Sequence, residues 1–395
     1  MHVVGVICEY NPFHTGHAWQ LAELRRRLGE DAAVVCAMSG NFVQRGDFAL
    51  LRKHVRAEAA VRGGADLVLE LPLPWAISSA EGFAAGGVGV LSGTGLVDTL
   101  AFGSECADAD RIGRTADALL SDAFSAALRA ELAQGDSFAA ARQRAAERLT
   151  GADAAILASP NDILGVEYVK ALRRQGSAIT PLALPRVGAA HDGGAGEHAS
   201  ASHIRGLLLG GEDAAPYLTP ETAALYAGER AAGRAPVSAA QAERAILARL
   251  RGMTEDELAP YDESGEGLYH RFYDALRAAP GVEALLDAAK TKRYAYARLR
   301  RMLLSVYLGV RPADRPERVP YLRVLAMNDT GKGLLHAMRK TAALPVVVKP
   351  ADARELSADA ARLMEQEARA TDLYALAYPR LSAPGDEWRI GPVIV

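Results

Sequence analysis

Cysteine is scarce in this chain of 395 residues: Cys8, Cys36 and Cys106 are its only thiols, and no two form a CxxC pair. So sparse and odd a set excludes a disulfide-stapled fold and leaves no readable zinc site; it fits a reducing compartment, and a cytoplasmic location is expected. All three read as small buried apolar residues. Long hydrophobic runs are also missing. No stretch of about 18 apolar residues free of charge occurs, so no membrane span is expected. The N-terminus lacks the basic start and small-residue cleavage site of a secretory signal, and leads directly into the apolar run Val3 to Cys8. Nor is there an excess of one charge. Lys and Arg number 45 against 48 Asp and Glu, a formal net charge of −3. That balance neither predicts nor excludes a nucleic-acid partner, because a local basic face can sit on a neutral protein. What is present is ordinary for a globular protein: 50% hydrophobic and 24% charged residues, in a length that suggests two or three domains.

The first half alternates strand and helix signals. Short apolar runs at Val3 to Cys8, Ala32 to Met38, Leu67 to Leu71, Thr99 to Phe102 and Ile179 to Leu184 predict buried strands. Helical patterns fill the intervals, at His17 to Leu28, Lys53 to Arg62, Ala80 to Leu91, Asp108 to Leu149 and Ile163 to Arg174. Apolar strands separated by helices argue for a parallel sheet covered on both faces, with ligands outside the carboxyl ends of its strands. Gly188 to Ala201 reads as a mobile loop rich in Gly, Ala and His, and Ser202 to Leu209 as a short closing helix. The second half is mostly helical to about Gly309. Strands at Tyr321 to Met327 and Leu344 to Val348, with a helix at Gly331 to Lys340 between them, suggest a small α/β unit at the end.

The segment that carries chemistry follows the first strand: Glu9-Tyr10-Asn11-Pro12-Phe13-His14-Thr15-Gly16-His17. A helix N-terminus offers unpaired N–H groups and the positive end of a dipole. Gly16 permits close approach of a ligand to the backbone. Two imidazoles three residues apart can both face one phosphate chain and stabilise the charge that develops when an oxyanion attacks phosphorus. Taken alone, His-x-Gly-His serves equally as a loop with one capping histidine or as part of a metal site. The strand before it and the helix after it favour a nucleotide.

The segment resembles the signature of the class I nucleotidyltransferase superfamily. More narrowly, the chain is similar to the bacterial tRNA(Met) cytidine acetate ligase family across VICEYNPFHTGH (Val6 to His17), MSGNFVQRG (Met38 to Gly46), ADLVLELP (Ala65 to Pro72), FGSE (Phe102 to Glu105), SPNDILGVEYVK (Ser159 to Lys170) and Lys292 to Gly309. The resemblance implies a Rossmann-like α/β nucleotidyltransferase domain over residues 1–210. A helical region with the small α/β unit, over 211–395, would bind tRNA. It implies a ligase that activates acetate with ATP and acetylates the wobble cytidine of elongator tRNA(Met), with Mg2+ accompanying the ATP. His14 and His17 would be catalytic. ATP would lie along Ile7, Cys8, Glu9, Tyr10, Asn11, Pro12, Phe13, His14, Thr15, Gly16, His17, Ala18, Trp19 and Gln20, and would meet Gly103, Asn161 and Arg186. Asn161 is expected in the loop before a helix at Ile163. Ser202 and Arg205 correspond to the late serine-rich helix start that holds a triphosphate in the superfamily.

Each of these residues has a plainer use. Gly103 can merely permit a turn, Asn161 can cap its helix, and Arg186 can be a surface arginine. Ser202 and Arg205 can belong to a simple capped surface helix. Gln44, Arg45 and Lys53, after the second strand, suit a polyphosphate, an RNA backbone or a solvated charge cluster. Glu9 suits either a divalent ion or a main-chain amide. Lys290 to Leu304 is basic without an acidic residue, and Tyr294, Arg298 and Arg301 share a face at helical spacing. Lys292, Arg293, Arg298 and Arg301 are the candidate tRNA contacts; the alternative is a face neutralised by acids such as Glu283 and Asp287. A small-molecule adenylyltransferase and a non-catalytic RNA-binding protein remain the competing functions. The long second half with its basic segment speaks against the first, and the intact histidine pair against the second. The pattern leaves the oligomeric state open.

Overall fold

The computed structural model describes residues 2–135, 138–186, 199–263 and 265–395. Ten strands occur among them: β1 (Val3–Cys8), β2 (Ala33–Ser39), β3 (Phe42–Val43), β4 (Asp47–Phe48), β5 (Leu67–Leu71), β6 (Thr99–Ser104), β7 (Thr180–Pro185), β8 (Leu322–Met327), β9 (Val346–Val347) and β10 (Val393–Ile394). Every residue of β1, β2 and β5 is buried, as expected of strands covered on both faces. The main sheet runs β10-β8-β5-β2-β1-β6-β7, with β9 on β8. Its pairings are parallel except β5 with β8. From β1 the chain proceeds to β2 on one side and later to β6 on the other. The order therefore reverses at β1, and the crevice above β1 and β6 is the switch point where such sheets take ligands.

The crossovers are helical. α1 (Thr15–Leu28) and α2 (Lys53–Arg62) cover one face. α1 buries Leu21 and Leu24 and carries Arg25, Arg26 and Arg27 in its last turn, where cations suit the dipole. After the turn α3 (Leu73–Ala76), α4 (Ala80–Gly93) covers the other face with α8 (Pro160–Arg174). α5 (Ala109–Leu119), α6 (Asp122–Leu132) and α7 (Phe138–Thr150) form an excursion before α8. α9 (Ala201–Gly210) ends the first half. Residues 188–198 of the glycine-rich loop lie outside the described residues.

The second half begins with α10 (Pro220–Ala231), α11 (Glu243–Arg251), α12 (Glu255–Leu258), α13 (Leu268–Ala278), α14 (Val282–Ala289) and α15 (Tyr296–Leu308). α11 to α15 build a separate apolar core that also takes in Phe42 and Phe48 from the β3–β4 hairpin. Phe48 lies 6.1 Å from Tyr307 and 6.0 Å from Tyr374, ring centre to ring centre, so the hairpin pins the helical region to the sheet. Gly46, at the hairpin tip, has φ 77°, and a Cβ there would stand 2.4 Å from the Arg301 amide nitrogen; only glycine fits.

The final α/β segment consists of β8, α16 (Asp329–Thr341), β9, α17 (Ala358–Ala375), α18 (Asp386–Arg389) and β10. Its strands extend the edge of the first sheet rather than make a sheet of their own. Asp66, buried at the start of β5, explains the docking. It accepts hydrogen bonds from Val34 N at 2.7 Å, Arg25 at 2.9 Å and the Asn328 side chain at 2.9 Å, fastening β2, α1 and the end of β8 together.

Candidate active site

Beyond Cys8 the chain turns sharply. Tyr10 has φ 45°, a left-handed conformation uncommon for a bulky side chain, and the Asn11–Pro12 bond is cis. Long-range hydrogen bonds over-determine the turn. Leu50 N donates to Asn11 Oδ1 at 2.8 Å, and Arg205 Nη1 donates to Asn11 O at 2.8 Å. Arg56, fully buried, donates to Leu51 O at 2.9 Å, to Ser39 O at 3.0 Å and to the carbonyls of Glu9 and Gly40. One guanidinium thereby ties the carboxyl ends of β1 and β2, a task its fan of donors suits. Glu9 Oε1 accepts from Gln44 N, a main-chain amide, at 2.8 Å.

His14 is the N-cap of α1. Its Nδ1 accepts from Gly16 N at 3.1 Å, and its carbonyl accepts from the amides of His17 and Ala18. With Nδ1 an acceptor, the proton of the neutral ring resides on Nε2. The His17 ring lies over it, 3.7 Å between centroids, and Tyr10 packs 4.8 Å away on another side. His17 Nδ1 is buried without a hydrogen-bond partner. Burial, with His14 and Arg186 nearby, holds His17 well below the usual histidine range, so its ring is neutral near pH 7.

Both rings face a cleft of about 340 Å³ above the carboxyl ends of β1, β6 and β7, a volume in the range of nucleotide and cofactor sites. The start of α1 forms one wall, with Trp19 and Gln20. The first turn of α9 forms another: its N-cap Ser200 accepts from His203 N at 3.2 Å, and Arg205 donates to Ser202 Oγ at 3.0 Å. At the end of β6, a Cβ on Gly103 would stand 3.3 Å from Cγ of Arg186; the glycine leaves room for the arginine stem. Glu105 organises this corner. Its carboxylate accepts from Asn161 Nδ2 at 2.6 Å and Asp162 N at 3.1 Å, and lies 3.9 Å from Arg186.

Of the residues singled out for ATP, Ile7, Cys8, Glu9, Tyr10, Asn11, His14, Gly16, His17, Trp19, Gln20, Gly103, Asn161 and Arg186 line this one cleft, as do Ser202 and Arg205. Pro12, Phe13, Thr15 and Ala18 do not. Phe13 is fully buried beneath the turn, where it fills the space above Gly63. Asn161 is not in a loop before the helix but in the first turn of α8, which starts at Pro160 because proline suits that position. Ser159 occupies the cap without a side-chain bond, so capping is not the work of Asn161. Gln44 and Arg45 line the cleft. Lys53 does not: it is buried between Glu70 and Glu387, at 2.6 and 2.7 Å. An apolar wall of Phe83, Phe102, Leu164 and Tyr168 was not foreseen. Its only sequence signal is apolar residues at strand and helix spacing, indistinguishable from core.

The basic segment differs from expectation at its start. α15 begins at Tyr296, so Lys292 and Arg293 precede the helix and are exposed. Arg298 pairs with Glu266 at 3.1 Å and Asp262 at 3.6 Å, and stacks over Tyr294 at 5.0 Å. Arg300 pairs with Glu283 at 3.2 Å and Asp47 at 3.8 Å. Glu283 is thus a neutralising acid, as the alternative reading allowed.

The HIGH Nucleotidyl Transferase family model matches residues 1–387. The chain is 36% identical to the tRNA(Met) cytidine acetate ligase of Acetivibrio thermocellus, with all of both chains covered. It is 36% identical to that of Caldanaerobacter subterraneus, with 96% of each covered. Among solved structures it resembles Thermotoga maritima TmcAL bound with alpha-thio ATP, at TM-score 0.93 and 32% identity over 100% of this chain and 99% of that one. The apo form of the same protein superimposes at TM-score 0.96 with 32% identity over the whole of both chains.

Proposed function

Because the chain belongs to the HIGH nucleotidyl transferases, and within them to the tRNA(Met) cytidine acetate ligase family, we propose that it uses ATP to activate acetate and acetylates the wobble cytidine of elongator tRNA(Met). The observation that carries this reading is the stacked His14–His17 pair at the head of α1, facing a nucleotide-sized cleft at the switch point of the sheet. In the first step an acetate oxygen attacks the α-phosphorus, the bond to the bridging oxygen breaks, and pyrophosphate leaves. In the second the exocyclic amine of cytidine attacks the acetyl carbonyl, AMP departs with the former acetate oxygen, and the amine loses a proton.

Neither step requires a protein nucleophile. The work is positioning and neutralisation of charge. His14 Nε2–H and the positive end of α1 face the phosphates. His17, kept neutral, contributes a ring nitrogen without adding a cation that would hold the product back. Arg205 and Ser202 flank the triphosphate, Gly103 admits the nucleoside, and Asn161 and Arg186 hold its far side. Glu9 is the one carboxylate among the described residues lining the cleft, and no three metal-ligating side chains converge among the described residues. That donor set fits a magnesium ion delivered on the nucleotide, where it would offset phosphate charge, rather than one caged by protein.

In this division of labour residues 1–210 carry the ATP chemistry and 211–395 the RNA contacts. The tRNA crosses Lys292, Arg293 and Arg298 and reaches Arg301. Two measurements test the reading: acetate-dependent pyrophosphate exchange without RNA, and acetylated cytidine in digests of bacterial tRNA incubated with ATP and labelled acetate. Exchange with no acetylated cytidine in tRNA would refute the RNA half, and absence of exchange would refute the whole.

A further inference from the structure

A second cleft, of about 470 Å³, opens between the two halves of the chain. Pro74, Ile77, Ser78 and Glu81 line one side, and Tyr261, Met302, Val310, the acids Asp262 and Glu263 and four arginines, Arg298, Arg301, Arg311 and Arg315, the other. The arginines are not equivalent. Arg298 has its two carboxylates, and Arg315 lies 3.7 Å from Glu263. Arg301, half-buried in the wall, makes no hydrogen bond or ion pair with a described residue, and neither does the exposed side chain of Arg311. On α15, then, Arg298 and Arg300 hold acids at ion-pair distance, while Arg301 faces the cavity with Glu263 close enough to act on its charge but not within ion-pair distance. A half-buried guanidinium with no hydrogen-bonded or ion-paired partner of its own keeps donors free for an incoming anion.

The rest of the cleft says which anion. Ile77, Met302 and Val310 supply an apolar surface, and Phe138, 62% exposed, offers a ring at the margin. A cation beside an aromatic and aliphatic wall suits a nucleotide, phosphate on one and base on the other. The cavity also shares a wall with the ATP cleft. Gln44 lines that cleft, and its side-chain amide donates to the carbonyl of Ser78, which lines this one, at 3.1 Å. Exposed Lys292 and Arg293 continue the basic surface beyond Arg298.

We propose that this second cleft receives a nucleotide of the substrate RNA close to the base being acetylated, its phosphate on Arg301 and Arg311 and its base against Phe138 and the apolar wall. The inference rests on the RNA half of the proposed function. Held there, a splayed strand would be anchored across the Gln44–Ser78 wall from the ATP cleft, which aims the reacting base without any contact to its own edge.

The test is tRNA affinity as a function of salt for Arg301→Gln, Arg311→Gln and Phe138→Ala. Each arginine variant should weaken binding roughly ten-fold and reduce the log–log salt slope by about one, the signature of a lost phosphate contact. Phe138→Ala should weaken binding roughly ten-fold with the slope unchanged, the signature of lost stacking. Arg311 is exposed, so Arg311→Gln keeps the test valid should Arg301→Gln fold poorly. Wild-type affinity and slope in both arginine variants would overturn the proposal. Loss of RNA-free pyrophosphate exchange in Arg311→Gln would overturn it too, by assigning the cleft to the activation step. A wild-type protein that shows this salt-dependent RNA binding but never acetylates cytidine would sink the proposed function, and with it the placement beside a reacting base, while leaving RNA binding at the cleft standing.

Discussion

Two basic groups follow neighbouring strands of one sheet, each with a ring or ammonium nitrogen out of contact with solvent, and their circumstances are opposite. His17, after β1, lies against two rings with a nitrogen that no protein atom satisfies. Lys53, after β2, is enclosed by Glu70 and Glu387, and Glu387 also meets Arg323 and accepts from Thr371 at 2.7 Å. Burial without a countercharge leaves a neutral group open to a ligand; burial among countercharges makes an internal fastening. The same contrast recurs on α15, where Arg298 and Arg300 hold acids at ion-pair distance and the following Arg301 does not. Basic residue type and position after a strand do not separate the two cases. The presence of an acid within reach does.

The largest effect should come from opening the Lys53 fastening. Glu387→Ala leaves two buried cations, Lys53 and Arg323, to share Glu70 and should cost about 3–5 kcal/mol of stability by chemical denaturation, with exchange retained while the protein is folded. A loss below about 1 kcal/mol would mean the network contributes nothing net and would erase the contrast. Next is the histidine pair. His17→Ala or His14→Ala should lower acetate-dependent pyrophosphate exchange by about 100-fold or more while tRNA affinity stays near wild type. Wild-type exchange in both variants would break the assignment. Arg298→Glu should weaken tRNA binding roughly ten-fold and spare ATP binding. An effect much smaller than that of Arg301→Gln would sharpen the distinction between matched and unmatched arginines.

The smallest effect concerns pH. Burial, reinforced by Glu70, raises the Glu367 carboxyl to about 7 from its ordinary 4.5. Between those values the native state keeps a proton that the unfolded chain has released. Stability from this group is therefore full below the ordinary glutamate value and is lost as pH rises through about 7. Glu367→Gln cannot titrate, and its Tm should fall less than that of wild type across this window, by a few degrees. Identical pH profiles would show that Glu367 ionises normally.

Much of the first half was legible because its signals are local. The apolar runs that became β1, β2, β5, β6 and β7 are each a single buried stretch, and their order with the intervening helices dictates a parallel sheet. The histidine pair was legible because four consecutive residues fix a cap and the turn of helix after it. The apolar wall of the ATP cleft was not, since Phe83, Phe102, Leu164 and Tyr168 differ from core residues only in what they face. The start of the basic helix was misplaced because Lys290 to Ala295 carries no breaker; the turn there is held by Thr291, whose hydroxyl accepts from the amides of Arg293 and Tyr294.

By itself the sequence determined the alternation of strands and helices and the two imidazoles at the first crossover, because hydrophobic period and motif spacing act over a few residues. Only the tertiary structure decided which cations are available to a ligand. Lys53 meets Glu387 across 334 positions of chain, and Arg298 meets Glu266 across 32. The seating of β8 against β5, by way of Asn328 and Asp66, is likewise a pairing across 262 positions. A charge is neutralised by whatever lies within a few ångströms of it, and that neighbourhood exists only once the chain has folded.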